Sequence, residues 1–321
     1  MKMLTGLIGG FLLATVVWLV LVLGQEGNRT PAAEWVRQAY AFKNERAREI
    51  DEPKLVIVSG SNALFGLHSA RLAEAYKRPV VNQAVNAGVG LPYIIEQGQS
   101  ILKPGDIALL PLEFPLFSYH YNTNQVMIDY YFAEPGLLYQ QPWRLQMALL
   151  TDITLTRIYE GYKGMPDDFK VSGLYGVHHL NAQGDQIYSD RVFRGEVRLQ
   201  QLKGLKPSLY GEDFSSDNEG WQLLSRFQRW AEQQNICLIY VPATMMFNPL
   251  YRDDPVEAQL YLSLASTAAQ FGLRYVGNPY DFMYGPEHYF DTNYHLIAES
   301  RLDNTQRLID LLGSDLRAHC P

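Results

Sequence analysis

Three short stretches of the chain stand out, two of them with residue types suited to nucleophilic catalysis. Ser59-Gly60-Ser61-Asn62 follows directly on the apolar run Leu55-Val56-Ile57-Val58. Asn86-Ala87-Gly88 is a second small-residue turn, and Asp291-Thr292-Asn293-Tyr294-His295 lies near the C-terminus. A serine presented where a strand turns into a helix, beside backbone N–H groups, is placed to act as a nucleophile. A carboxylate four residues before a histidine can orient the imidazole, which then serves as base and acid. Small polar residues after a strand are also ordinary turn chemistry, so the serine alone carries little. The reading rests on the serine and the Asp291/His295 pair converging.

The elements around them supply that convergence. Leu55 to Val58 reads as a short buried strand, and Ser69 to Lys77 as a helix with Leu72, Ala73 and Tyr76 on one face. A second strand starts at Val80, and a helix runs from Pro92-Tyr93 to Leu102. A third strand, Ile107 to Leu112, ends at Glu113-Phe114-Pro115. Later come a helix over 217–234, a strand over 236–241, a helix over 255–271, a short strand at Arg274-Tyr275-Val276 and a helix reaching about Leu312. Strands alternating with helices predict an α/β fold with a parallel sheet. Sites in such sheets lie at the carboxyl edge, where Ser61 and the Asp291/His295 pair would meet. The stripe Trp221, Leu224, Phe227, Trp230 reads as core. No phosphate-cradling GxxxxGK[ST] and no GxGxxG after a strand occur, so no cofactor is expected.

The middle, about 119–208, is rich in Tyr, Gln and Gly, with weak helical periodicity from Trp143 to Tyr159. It reads as an insertion packed over the site side of the sheet. His178-His179 would point to opposite sides of a strand and form a poor metal pair, so no metal is expected. The Asn181 to Asp185 turn reads as structural.

Composition sets the setting. The net charge of −7 argues against a nucleic-acid partner, which calls for a basic patch. Residues 1–24 form an anchor: Leu4 to Leu23 is uncharged and mostly apolar, about 20 residues and long enough to span a bilayer. Lys2 before it favours a cytoplasmic N-terminus with the rest exported. No A-x-A-like cleavage site follows Leu23-Gly24-Gln25-Glu26, which favours an anchor over a cleaved signal. Residues 25–54 read as a juxtamembrane amphipathic helix and linker, and 55–321 as the main domain. Cys237 in an apolar run and Cys320 next to the end read as a buried thiol and a mobile tail rather than a disulfide.

The three stretches resemble the blocks of the SGNH hydrolase superfamily, in its membrane-anchored extracytoplasmic branch. That branch includes the D-alanyl transfer protein of teichoic-acid modification and the acetyltransferases of alginate and cellulose. Ser61 stands where the family has its nucleophile, with Ser59 in place of the usual Gly. Asn86-Ala87-Gly88 resembles the second block, whose Gly supplies an oxyanion-hole N–H, and Asp291…His295-Leu296 resembles the last, with Asp and His one residue further apart than usual. The third block, Gly-x-Asn-Asp, is replaced by Pro111-Leu112-Glu113. The resemblance implies a flavodoxin-like three-layer sandwich. It also implies a Ser61-His295-Asp291 triad, and an oxyanion hole from the N–H groups of Ser61 and Gly88. Asn62 or Asn86 would substitute for the missing Asn, or a protonated Glu113 would; an ionised, paired Glu113 would instead be architectural.

The function so implied is an O-acyltransferase or esterase on an envelope or secreted polysaccharide, working beside a membrane-bound O-acyltransferase partner. The alternative is a non-catalytic scaffold of a polysaccharide-modification complex that uses Glu113 and the Tyr-rich insertion for binding.

Overall fold

The structure, a computed structural model, describes residues 2–166 and 168–320. Met1, Asp167, Pro321 and the Lys2 side chain lie outside the described residues. The chain divides into two compact units, one of 1–37 with 121–171, the other of 38–120 with 172–321.

The first unit starts with α1, Lys2–Leu23. Its stretch Met3–Leu23 has a mean hydropathy of 2.5 and is almost wholly exposed, long and apolar enough to cross a membrane. Helix α2, Pro31–Arg48, begins in this unit with Pro at its first position, where the missing N–H costs nothing. Glu34 in its first turn is held by Arg29 at 2.6 Å and Arg37 at 2.7 Å. Four helices complete the unit: α3, Gln125–Ala133; α4, Leu137–Gln140; α5, Trp143–Asp152; and α6, Leu155–Lys163. Buried Arg157 of α6 pairs with Asp129 at 3.2 Å and donates to Gln25 Oε1 and the Asn28 carbonyl. Residues 121–171 thus group with α1, and 119–120 and 172–208 with the sheet, where the sequence alone reads 119–208 as one insertion.

The second unit holds a four-stranded parallel sheet of β1, Leu55–Ile57; β2, Val80–Asn82; β3, Ile107–Leu110; and β4, Cys237–Tyr240. The order is β2-β1-β3-β4. The expected strand at 274–276 reduces to one parallel bridge between Tyr275 and Tyr240. All strand residues are buried, the pattern of a parallel sheet covered on both faces. Leu55 and Ile57 pack with α7, Ser61–Gly66, α8, Ser69–Tyr76, and the C-terminal helix α9, Ala298–Leu312, through Phe65, Leu72 and Leu308. Val58, on the other face, meets Gly98 of α10, Leu91–Ile101, which also faces Phe227 of α11, Glu219–Gln233. A Cβ at Gly98 would lie 3.2 Å from Val58 and 3.4 Å from Phe227, so any larger residue would need these side chains to give by a few tenths of an ångström.

At the amino edge, Lys54 and Asp106 form a fully buried ion pair at 2.6 Å, and Asp106 also accepts the N–H groups of Lys54 and Lys103. Cys237 and Cys320 are joined in a disulfide, with Cα atoms 5.4 Å apart. This overturns the expectation of a free thiol and a mobile tail. Leu316 is buried in the core, and Arg274 donates to the carbonyls of Ala318 and Cys320, so the tail is drawn back onto β4.

Candidate functional site

The chain changes direction between β1 and β3: from β1 it goes to β2 on one side, then to β3 on the other. Open α/β sheets carry their sites in the crevice at the carboxyl ends of two such strands. Ser61 follows β1 there and Glu113 follows β3.

Ser61 is the first residue of α7, so the turn predicted from sequence is already helix. Gly60 is required by close approach: a Cβ there would lie 2.5 Å from Glu113 Oε1 and 2.6 Å from the Ala87 backbone. Glu113 is buried and binds this turn directly, Oε1 accepting from Asn62 N–H at 2.9 Å and Oε2 from Gly60 N–H at 3.2 Å. Burial pushes its pKa above the ordinary carboxylate value, with the bonds from Asn62 and Gly60 opposing. Its partners are backbone N–H groups, not the cation that an architectural role led us to expect.

The other polar residues of the turn are also committed. Ser59 Oγ donates to the Pro111 carbonyl at 2.6 Å, and Asn62 Nδ2 donates to both Ser59 Oγ and Pro111 O. The Ser59 hydroxyl thus ties the end of β1 to the end of β3, which a glycine could not do, and the Asn62 amide faces inward. Asn86 Oδ1 accepts from Gly88 N–H at 2.6 Å, so that N–H is engaged within its own turn. The Ser61 N–H takes none of these partners.

The second half of the site is the loop before α9. His295 Nδ1 lies 2.7 Å from Asp291 Oδ1, with side chains 5% and 8% exposed. Thr292 Oγ1 accepts from the N–H groups of Tyr294 and His295, and Phe290 N–H donates to the His295 carbonyl, which curls the loop so that residues four apart meet. Tyr175 donates to the other Asp291 oxygen at 3.2 Å. Burial works to raise the Asp291 pKa, but the bonds from His295 and Tyr175 outweigh it and hold the carboxyl below its ordinary value. With Nδ1 committed to Asp291, Nε2 is the ring nitrogen able to exchange a proton.

Phe65 connects the two halves. Its ring stacks on the His295 imidazole with centroids 4.1 Å apart and planes 7° apart. Phe65 is one helical turn after Ser61, on the same face of α7, where residues four apart have Cβ atoms about 5–6 Å from each other. The imidazole thus packs on Phe65, one helical turn from Ser61 in sequence. Tyr210 and Tyr294 bond each other through their hydroxyls at 3.0 Å, and Asn293 Nδ2 donates to Ser208 Oγ, bringing the 208–210 segment to this loop.

Ser61, Asp291, His295, Gly88, Asn62, Asn86 and Glu113 all lie in the second unit. Tyr175, Phe65 and Tyr210 were missed from sequence. Only Phe65 had a local signal, its helical spacing from Ser61. His178 and His179 sit in a 3-10 turn rather than a strand, their rings 4.1 Å apart and His179 against Tyr188. Among the described residues, no group of three or more His, Cys, Asp or Glu is arranged to hold a metal ion. No protein-family model matches the chain, and no curated protein matches it.

Proposed function

We propose that the chain is a membrane-anchored, extracytoplasmic O-acyltransferase or esterase of SGNH type, acting on an envelope or secreted polysaccharide through Ser61, His295 and Asp291. The observation that carries this is the Asp291-held imidazole stacked on Phe65, one turn from Ser61. The sheet order β2-β1-β3-β4 with helices on both faces supports the flavodoxin-like three-layer reading. The disulfide supports an oxidising compartment, where such bonds persist.

In this mechanism Ser61 Oγ attacks an acyl carbonyl and its proton passes to His295 Nε2. The tetrahedral oxyanion is met by the Ser61 N–H at the start of α7, and collapse expels the donor's alcohol, which takes the proton from His295. A sugar hydroxyl or water then gives its proton to His295 and attacks the acyl-Ser61, releasing Ser61 with the proton returned. Asp291 keeps Nδ1 protonated throughout, and Tyr175 fixes Asp291. By resemblance, the acyl group would come from a membrane-bound O-acyltransferase partner.

A second reading is favoured by one specific feature. The Glu113 carboxyl occupies the N–H groups of Gly60 and Asn62, and Asn86 occupies that of Gly88. A site with so few donors left for an oxyanion suits a scaffold that binds glycan without turnover. Hydrolysis of a chromogenic acetyl ester separates the two. The enzyme reading expects turnover that Ser61→Ala and His295→Ala each abolish while melting is unchanged; turnover absent from the wild type, or persisting in Ser61→Ala, leaves the scaffold.

A further inference from the structure

The first unit carries a feature that the chemistry of Ser61 does not use. On α6, Leu155, Tyr159 and Tyr162 recur at spacings of four and three, forming one stripe that is 72%, 66% and 53% exposed. The opposite face of α6 is buried through Arg157, Ile158 and Gly161. On α5, Trp143 and Met147, one turn apart, are also more than half exposed, while Leu145 and Leu149 face inward. Five large apolar or aromatic side chains on two consecutive helices are thus left to solvent within a single unit.

Two contacts fix where these helices sit along α1. Trp18 Nε1 donates to the Leu150 carbonyl of α5 at 3.2 Å, and Tyr162 donates from α6 to the Leu21 carbonyl at 3.2 Å. The apolar stretch Met3–Leu23, at about 1.5 Å per residue, matches the roughly 30 Å hydrocarbon core with little to spare. With α1 across the bilayer, Leu21 and Trp18 lie within its last two turns, about 3 and 8 Å inside the hydrocarbon edge. Leu150 and Tyr162 must lie there too. Tyr162 belongs both to the exposed stripe and to the contact with α1, so the stripe continues the lipid-facing surface of the anchor. Trp and Tyr are the residues that favour this depth, their rings apolar and their tips polar.

We infer that α5 and α6 lie at the boundary of headgroups and hydrocarbon as a second, interfacial anchor, with Trp143, Met147, Leu155, Tyr159 and Tyr162 in contact with lipid. The occupant of this face is the bilayer surface itself. The first unit is then held by a spanning helix and by a pair of helices beside it, which limits its freedom to tilt about α1.

The test uses the full chain reconstituted alone in phosphatidylcholine nanodiscs, with and without lipids brominated near the carbonyl. Subtracting the emission of Trp143→Phe from that of the wild type isolates Trp143. Its emission should fall about twofold or more with brominated lipid and resist aqueous iodide, as expected for an indole at the interface. The double variant Leu155→Glu/Tyr159→Glu, which places charge on the stripe, should abolish that protection while the second unit melts as in the wild type. Trp143 emission that iodide quenches and brominated lipid does not would overturn the inference and leave the face to a membrane-protein partner. Trp18 reports insertion in the same samples, and its failure to respond to brominated lipid would also overturn it. Loss of Trp143 protection in Leu155→Glu/Tyr159→Glu with insertion retained assigns the contact to the stripe; unchanged protection refutes that assignment.

Discussion

Replacing Glu113 by Gln tests the organisation of the serine turn. Both carboxyl oxygens accept backbone N–H groups, from Asn62 at 2.9 Å and Gly60 at 3.2 Å. Glutamine offers one acceptor oxygen and an NH2 that must face the other N–H, leaving a buried donor unpaired at a cost of about 1–3 kcal/mol. Adding the lost bond, we expect about 2–3 kcal/mol, or about 4–12 °C in Tm for a unit of this size. The sign of the pH dependence follows from the raised pKa of Glu113, for which burial is the largest cause. Its stabilising contribution is complete below the ordinary value of about 4.3 and declines as pH rises through the folded value, by about 1.4 kcal/mol per unit of elevation. Glutamine lacks that decline, so the gap between wild type and variant is widest near pH 4 and narrows towards neutrality. Melting of the detergent-solubilised full chain across this range reads both features. A variant that melts like the wild type at acid pH, or a gap that widens with pH, would refute the reasoning.

Three further perturbations address other parts of the account. Cys237→Ser/Cys320→Ser removes a crosslink between residues 83 apart in sequence and should cost about 4 kcal/mol in urea denaturation, with dithiothreitol lowering the wild-type Tm comparably. Lys54→Met leaves the buried Asp106 without its cation and should cost about 3–5 kcal/mol by urea denaturation, with Lys54→Met/Asp106→Asn, which removes the charge and keeps an acceptor oxygen for the backbone, recovering part of it. The Asp291 carboxyl is held low in the folded chain, so its contribution is complete above about pH 4 and lost as pH falls through the folded value. Asp291→Asn should flatten that part of the pH–Tm profile and lower ester turnover by about 10⁴ if the serine-protease precedent transfers.

How much was legible in the sequence depended on whether the signal was local. The β-branched runs at Leu55, Val80 and Ile107, punctuated by Gly and Pro turns, announced a parallel sheet, and the structure has one. Asp291 and His295 were readable because a single loop makes their contact. The remainder depended on partners distant in sequence. Cys320 meets Cys237 only because Leu316 is buried and Arg274 holds the tail, and no spacing announces either. The Tyr-rich middle gave weak periodicity because α5 and α6 expose Trp143, Leu155 and Tyr159 instead of polar residues, which blurs the amphipathic pattern. Ser59 looked like a departure from a motif, yet its hydroxyl ties β1 to β3.

The most direct test of the central claim is covalent labelling of Ser61. The full chain is treated with a fluorophosphonate, and the adduct is mapped by peptide mass spectrometry. One adduct per chain is expected, on Ser61, absent from Ser61→Ala and slowed by about 10³-fold or more in His295→Ala, as for a serine whose base has been removed. An unlabelled wild type, or an adduct on Ser61 that forms equally fast without His295, would contradict the assignment of Ser61 and His295 as nucleophile and base.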